Sequence, residues 1–147
     1  MSSFLDAVRT AVYSLVVDRH ARPSVEAVAR TLGVSVGETE RAFRALADGH
    51  VLVLQTDTID VAWAPPFSVV PTSFRTITGA SAWHAPCAWD AFGIPAALHA
   101  DDATIEARCA WSGEPLDCGV AKGRARGDAV IHLVVSAAHF WDDIFFT

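Results

Sequence analysis

The sequence lacks the features that define several broad classes of protein. No apolar run reaches the roughly 18 to 20 residues of a membrane-spanning helix, and the apolar segment at residues 11–17 is far too short. The N-terminus has no basic region followed by an apolar stretch and a cleavage site, so no secretory signal is expected. Only 11 Lys and Arg oppose 17 Asp and Glu, and the net charge of -6 argues against binding to nucleic-acid phosphates. We therefore expect a cytoplasmic protein without membrane or nucleic-acid partners.

Cysteine and histidine are too few and too scattered for two common stabilising devices. The three cysteines, at positions 87, 109 and 118, show no C-x-x-C spacing, which disfavours a disulfide framework. The six histidines show no H-x-H or H-x-x-x-H pair, so a structural zinc site is not expected. Any function of a cysteine here should rest on its thiol or thiolate.

Apolar residues, by contrast, are abundant. Hydrophobic residues make up 52% of the 147 residues, and five Trp and eight Phe supply large pieces of a core. Charged residues make up only 19%, so the chain has enough apolar surface to fold rather than stay disordered. The length fits one domain, or two small ones packed together.

Residues 1–63 carry the pattern of a winged helix-turn-helix module. Apolar residues at helical spacing, two N-cap signals and a final stretch of alternating residues predict three helices and a β-hairpin. The N-cap signals are Ser24 and the capping box from Ser35 to Glu38, and the hairpin strands are residues 51–55 and 59–63.

Such a module suggests DNA binding, but its charge opposes that interpretation. Residues 1–62 hold six arginines and eight acidic residues, and the third helix places Arg41 and Arg44 beside Glu38 and Glu40. A recognition helix normally presents unopposed basic residues to the DNA backbone. A helical module that packs on the second half is therefore favoured, and a winged-helix DNA-binding regulator remains an alternative.

Residues 64–147 predict a mostly antiparallel β core with few short helices. Prolines at 65, 66 and 71 mark a boundary near residue 64. A short helix is expected from about residue 86 to 92, ended by Gly93-Ile94-Pro95. Strands are expected at residues 68–70, 74–77, 104–111, 116–121 and 129–135. The predicted fold class is therefore α+β, with the N-terminal module packed on the β core.

The strongest local constellation is the run Trp83-His84-Ala85-Pro86-Cys87-Ala88-Trp89-Asp90. With Pro86 in the first turn of a helix, Cys87 would lie at the positive end of the helix dipole, which lowers a thiol pKa. Asp90 lies one turn further along the same face, where a carboxylate could accept the thiol proton and later deliver it. Together the two groups could also bind a soft metal. The alternative is that Cys87 is a small buried apolar residue and Asp90 a solvated one.

The other candidate residues carry weaker signals. Cys109 falls in a predicted strand, where packing in the core is the default role. Cys118 lies near a predicted strand edge and could be a spare thiol. His84 could assist the Cys87 thiol as in cysteine hydrolases, although the fold normally brings such pairs together.

The order and spacing of these segments resemble the organomercurial (alkylmercury) lyase family. The segment Cys87-Ala88-Trp89-Asp90-Ala91-Phe92-Gly93-Ile94-Pro95 is similar to the family's first catalytic cysteine, its aspartate and a following Phe-Pro step. Residues 107–115 are similar to a strand-turn segment with a structural cysteine, here Cys109, and residues 129–135 to the strand that follows. The resemblance implies a winged-helix-like module on a mostly antiparallel core.

The same resemblance implies an activity, the cleavage of a carbon-mercury bond by protonolysis of a small organometallic substrate. In the family, two cysteine thiolates capture the metal and an aspartate moves a proton onto the leaving carbon. Cys87 matches the first cysteine and Asp90 the aspartate, so both are expected to be catalytic and to bind mercury. No cofactor is implied, since Hg(II) is the bound product and low-molecular-weight thiols accept it.

One feature of the family has no counterpart in this sequence. The second catalytic cysteine belongs to a segment after the last core strand, and residues 136–147 contain no cysteine. Three explanations remain: a chain that lacks the family's C-terminal part, a substitute thiol from Cys118 or Cys109, or a homologue that has abandoned the reaction. A non-catalytic thiol or soft-metal binder is the corresponding alternative function.

Overall fold

The computed structural model describes residues 3–146, so the parts of the predicted regions at residues 1–2 and 147 lie outside the described residues. The helices of this part are α1 (Ser3–Val17), α2 (Val25–Leu32), α3 (Val36–Asp48) and α4 (Ala88–Ala97), with a short 3-10 helix at Ala137–His139. None of the described helices is long and apolar enough to cross a membrane. The expected cytoplasmic location stays a prediction.

Local sequence signals explain where α2 and α3 begin. The Ser24 side chain accepts a hydrogen bond from the Ala27 N–H, and Ser35 and Glu38 form a reciprocal capping box. These bonds satisfy N–H groups that have no partner inside a helix. Gly33 follows α2 in the left-handed conformation (φ 67°) that glycine adopts at low cost. The helices lie in the predicted order, and the winged-helix classification stays a prediction.

The strands form a single antiparallel sheet. In chain order they are β1 (Val53–Leu54), β2 (Val61–Ala64), β3 (Phe67–Ser68), β4 (Phe74–Thr78), β5 (Ser81–Ala85), β6 (Ala103–Arg108), β7 (Pro115–Ala121) and β8 (Arg124–Arg126). Their order across the described sheet is β1-β2-β3-β5-β4-β6-β7-β8, and neighbouring strands pair antiparallel. The predicted combination of helices with an antiparallel sheet is therefore confirmed.

The hairpin predicted after the third helix is formed by β1 and β2, but it is not separate from the core. β2 pairs onward with β3, so the hairpin is one edge of the same sheet. The expected boundary after residue 63 falls inside β2. The division into regions 1–63 and 64–147 therefore stays a prediction.

Two clusters of buried apolar residues stabilise this arrangement. The first lies between α1, α2, α3 and the hairpin, and it includes Phe43 and Leu52. The second lies between the sheet and α4, and it includes Phe67 and Ile94. Full burial of such a side chain contributes about 1.5 to 3 kcal/mol. Tyr13 of α1 packs against both clusters, so α1 ties the N-terminal helices to the sheet.

Helix α4 is longer than the sequence predicts, because the sheet compensates for its internal proline. The expected end at Gly93-Ile94-Pro95 is wrong, since the helix continues through Pro95 to Ala97. Proline has no N–H to donate to the carbonyl four residues earlier, which here belongs to Ala91. The buried hydroxyl of Thr76 in β4 donates to that carbonyl instead, at 2.8 Å. This bond satisfies a buried polar group and fixes α4 over β4.

The strand predicted at residues 129–135 is wrong. β8 is the last strand of the described sheet, and residues 129–135 pair with neither of its edge strands. The apolar side chains of this segment are largely in solvent, with Val130 89% and Val134 74% exposed. The strand predicted at residues 104–111 ends earlier, at Arg108. Strand β5 was not predicted, although it pairs along its whole length with β4.

Candidate functional site

The start of α4 brings Cys87 and Asp90 into direct contact. Cys87 is the N-cap residue (φ -147°, ψ 179°), so it lies one position before the helical turn in which the sequence analysis placed it. Asp90 is the third residue of the helix. An N-cap side chain and the side chain three residues later lie on the same side of a helix start, as they do in a capping box. The Cys87 thiol donates a hydrogen bond to Asp90 Oδ2, with 3.2 Å between sulfur and oxygen.

Burial controls the protonation of the Cys87 thiol. Cys87 is half-buried, and burial raises the pKa of its thiol because it disfavours the thiolate. The backbone N–H groups of Asp90 and Trp89 lower this pKa, as expected at a helix N-terminus, but the net direction is upward. The expectation of a lowered thiol pKa is therefore wrong. The thiol form of Cys87, which donates to the Asp90 carboxyl, is therefore favoured over the thiolate.

The Asp90 carboxyl shares this half-buried environment. Burial raises the pKa of Asp90 above its ordinary value, and the hydrogen bond from Cys87 lowers it by less. A carboxyl group with a raised pKa holds a proton more readily than one in solvent. The pair thus combines a proton donor, the thiol, with a base that is suited to keep that proton and return it.

The contacts that hold α4 in place come from distant parts of the chain. Ile94 is fully buried in the second core cluster. The hydroxyl of Tyr13 in α1 donates to the Pro65 carbonyl at 2.8 Å, across 52 positions of sequence. Pro66 in turn lies against Gly93, where an added Cβ would come within 3.1 Å of the Pro66 Cβ. These contacts could not be predicted from the sequence, because no local pattern connects partners so far apart.

A groove of about 680 Å³ lies beside these contacts. Its walls are formed by α1, residues 65–67 and the end of α4. Cys87 and Asp90 do not line it, but Ala97 does. Asp90, Gly93 and Ala97 share one face of α4, since they are spaced at i, i+3 and i+7. The groove therefore meets α4 at its end, two turns along the helix from the Asp90 carboxyl.

Cys118, the candidate substitute thiol, lies in the core. It is buried in the second core cluster, and its sulfur faces the Ile105 carbonyl at 3.7 Å. Burial raises the pKa of this thiol. Within residues 3–146, no group of three or more His, Cys, Asp or Glu side chains could hold a metal ion. The structure therefore joins neither Cys118 nor Cys109 to the Cys87–Asp90 pair in such a group.

Two further candidates have other surroundings. Cys109 lies just after β6 rather than within a strand, and it is only half-buried. Hydrogen bonds from Ser112, the largest from its backbone N–H, lower the pKa of the Cys109 thiol, which makes it a reactive thiol outside the site. The Nδ1 atom of His84 accepts a hydrogen bond from the Thr72 N–H at 3.2 Å, so this nitrogen is already engaged.

The fold is shared with a protein of known structure, the mercury-bound form of MerB2. The two chains superpose with a TM-score of 0.65 at 23% sequence identity, over 86% of this chain and 59% of the MerB2 chain. The sequence profile of the alkylmercury lyases, MerB, matches residues 67–145, more than half of the chain and the part that contains Cys87 and Asp90. The chain therefore belongs to the alkylmercury lyase family. Comparison with curated protein sequences gives no match.

Proposed function

We propose that this protein cleaves the carbon-mercury bond of small organomercurials, with Cys87 capturing the metal and Asp90 moving the proton to the leaving carbon. The observation that carries the proposal is the 3.2 Å contact between the Cys87 thiol and the Asp90 carboxylate. Membership of the alkylmercury lyase family supports the reaction class. The chemistry is consistent, since soft metals such as mercury prefer sulfur ligands.

The proposed reaction needs no external acid, because the thiol supplies the proton. In the first step the Cys87 sulfur binds the mercury of R–Hg–X, X⁻ leaves, and the thiol proton passes along the existing hydrogen bond to Asp90. In the second step Asp90 returns the proton to carbon, the carbon-mercury bond breaks, and R–H leaves while Hg(II) stays on the sulfur and regains X⁻. The raised pKa of Asp90 supports this role, since the carboxyl must hold the proton between the two steps.

We also propose that a low-molecular-weight thiol supplies the second sulfur for mercury. Cys118 is buried against a backbone carbonyl, and Cys109 lies in the loop after β6. A thiol from solution could coordinate the metal during cleavage and then accept Hg(II). Hydrocarbon release should rise with thiol concentration and saturate, and Cys118→Ala should leave its rate unchanged. A loss of release in Cys118→Ala would assign the second sulfur to that residue instead.

The proposal is tested by gas-chromatographic detection of benzene after purified protein is mixed with phenylmercury and excess thiol. A Cys109→Ser background removes the accessible thiol that would otherwise compete for mercury. We expect repeated turnover in this background, and no release above the thiol-only blank once Cys87→Ser is added. A stoichiometric complex without benzene would instead identify a non-catalytic soft-metal binder, the second candidate function, which is favoured by the single thiol at the carboxylate.

The DNA-binding alternative gains no support from the exposed side of α3. Arg44, one of its two arginines, forms an ion pair with Glu40 at 2.9 Å. This neighbour offsets the charge that a phosphate contact would use. Absence of a duplex mobility shift at low salt would remove the alternative, and a salt-sensitive shift would restore it.

A further inference from the structure

A hydroxyl group on α1 is tied to the segment that faces the candidate site. Tyr13 is half-buried, and its hydroxyl donates to the Pro65 carbonyl at 2.8 Å. Its ring meets Phe67 edge to face, with 6.4 Å between the ring centroids. One side chain therefore holds both ends of the short connection between β2 and β3.

This connection abuts α4 one turn away from Asp90. Pro66 lies so close to Gly93 that a Cβ atom added to Gly93 would be nearer to the Pro66 Cβ than Cβ atoms usually are to their neighbours. Gly93 and Asp90 are three residues apart on one helix face. The charge of Asp90 also reaches Tyr13, where it adds to the larger effect of burial in raising the pKa of the phenol. A shift of this connection would therefore displace the turn of α4 that carries the Asp90 carboxyl.

We propose that Tyr13 is a positioning residue, which holds Asp90 at hydrogen-bond distance from the Cys87 thiol through the Pro65–Pro66 segment and Gly93. This inference rests on the proposed function for its kinetic consequence, but the contact that it describes exists without mercury. Tyr13 acts on the proton-transfer step, because that step depends on the 3.2 Å between sulfur and carboxylate. Capture of mercury is less sensitive to this distance, because the thiol can also lose its proton to solvent.

The test compares Tyr13→Phe with Thr10→Val in the Cys109→Ser background. Phenylalanine keeps the ring that packs on Phe67 and removes only the hydroxyl. Thr10→Val is the matched control, since it removes a hydroxyl of the same helix that donates to the Asp6 carbonyl of that helix. For Tyr13→Phe we expect a loss of about tenfold to a hundredfold in the first-order release of benzene, the scale of a small misplacement of a reacting group. We expect KM to stay nearly unchanged, because a change that acts only on the proton-transfer step lowers kcat and kcat/KM equally.

A second readout needs no mercury and separates this inference from the proposed function. The rate of Cys87 alkylation by iodoacetamide should rise in Tyr13→Phe toward the rate of Asp90→Asn. The first change displaces and the second removes the carboxylate that adds to the larger effect of burial in raising the thiol pKa. Gly93→Ala, which displaces Pro66 without touching Tyr13, should act in the same direction. If the parent releases no benzene, the proposed function fails and the alkylation rates alone decide the positioning role. Alkylation in Tyr13→Phe and Gly93→Ala at the Thr10→Val rate would overturn the inference.

Discussion

Replacing Asp90 with Asn separates mercury capture from protonation of carbon. Asn has nearly the shape of Asp, and its amide oxygen can still accept the Cys87 hydrogen bond, so the start of α4 should be preserved. The amide cannot take up and return a proton. A positioned general acid contributes typically about 10²- to 10⁴-fold to a rate, and the barrier to hydrocarbon release should rise by about 3 to 5 kcal/mol. Capture should persist, because water or buffer can take the Cys87 proton that Asp90 takes in the parent, and the variant also lacks a charge that raises the Cys87 pKa.

The assay is a single-turnover experiment with phenylmercury and excess protein, quenched at increasing times. Free thiol titration follows capture, and gas chromatography follows benzene. Asp48→Asn is the matched control, because Asp48 is an exposed carboxylate at the end of α3. Equal benzene rates in Asp90→Asn and in the parent protein would refute the role of Asp90 as proton carrier. Loss of capture in Asp90→Asn would show that the carboxylate binds the metal rather than the proton.

Three further predictions concern stability. Because burial raises the pKa of Asp90 above 3.8, the folded chain keeps a proton that the unfolded chain has lost, so the free energy of unfolding should fall as pH rises from 3.8 to the folded-state pKa. Denaturant unfolding at a series of pH values measures this free energy, which should fall less with pH in Asp90→Asn than in the parent protein. The same dependence on pH in both proteins would contradict the prediction. Ile94→Ala should lower the free energy of unfolding by about 2 to 5 kcal/mol, because Ile94 is fully buried. Val36→Ala, at an exposed site, should change it by no more than about 0.5 kcal/mol. Equal losses in the two variants would contradict the burial of Ile94 in the core. Gly119→Ala should destabilise the fold by about 1 to 3 kcal/mol or more, since its Cβ would collide with a backbone oxygen of β6. In Gly37→Ala the new Cβ would meet a flexible arginine side chain, so this variant should gain up to about 1 kcal/mol of helix stability. Thermal unfolding checks both glycine variants, and a stable Gly119→Ala would contradict the close strand pairing.

The contact between Cys87 and Asp90 could be predicted because it is local. A side chain at a helix start and one three residues later lie on the same side of the helix, so the two groups are expected near each other. Pro86 was expected in the first turn, but it lies one position before the Cys87 N-cap. The thiol pKa could not be predicted in the same way. Its direction depends on burial, and burial results from packing between residues that are far apart in sequence.

Errors in the secondary structure have the same origin. Pro95 ends a helix by local rules, but the Thr76 hydroxyl from β4 supplies the hydrogen bond that proline removes, so α4 continues. Residues 129–135 have the composition of a buried strand, yet in the structure they pair with neither edge of the sheet and leave Val130 and Val134 exposed. In both cases the outcome depends on a partner from another part of the chain, which periodicity does not reveal.

Intact-protein mass spectrometry of the phenylmercury reaction tests most directly whether one thiol both captures the metal and yields the hydrocarbon. With the Cys109→Ser protein quenched at successive times, we predict an early adduct that carries mercury and the phenyl group, followed by a species that carries mercury alone, with both located on the Cys87 peptide. An adduct that keeps its phenyl group at all times, or mercury located on Cys118, would contradict the account.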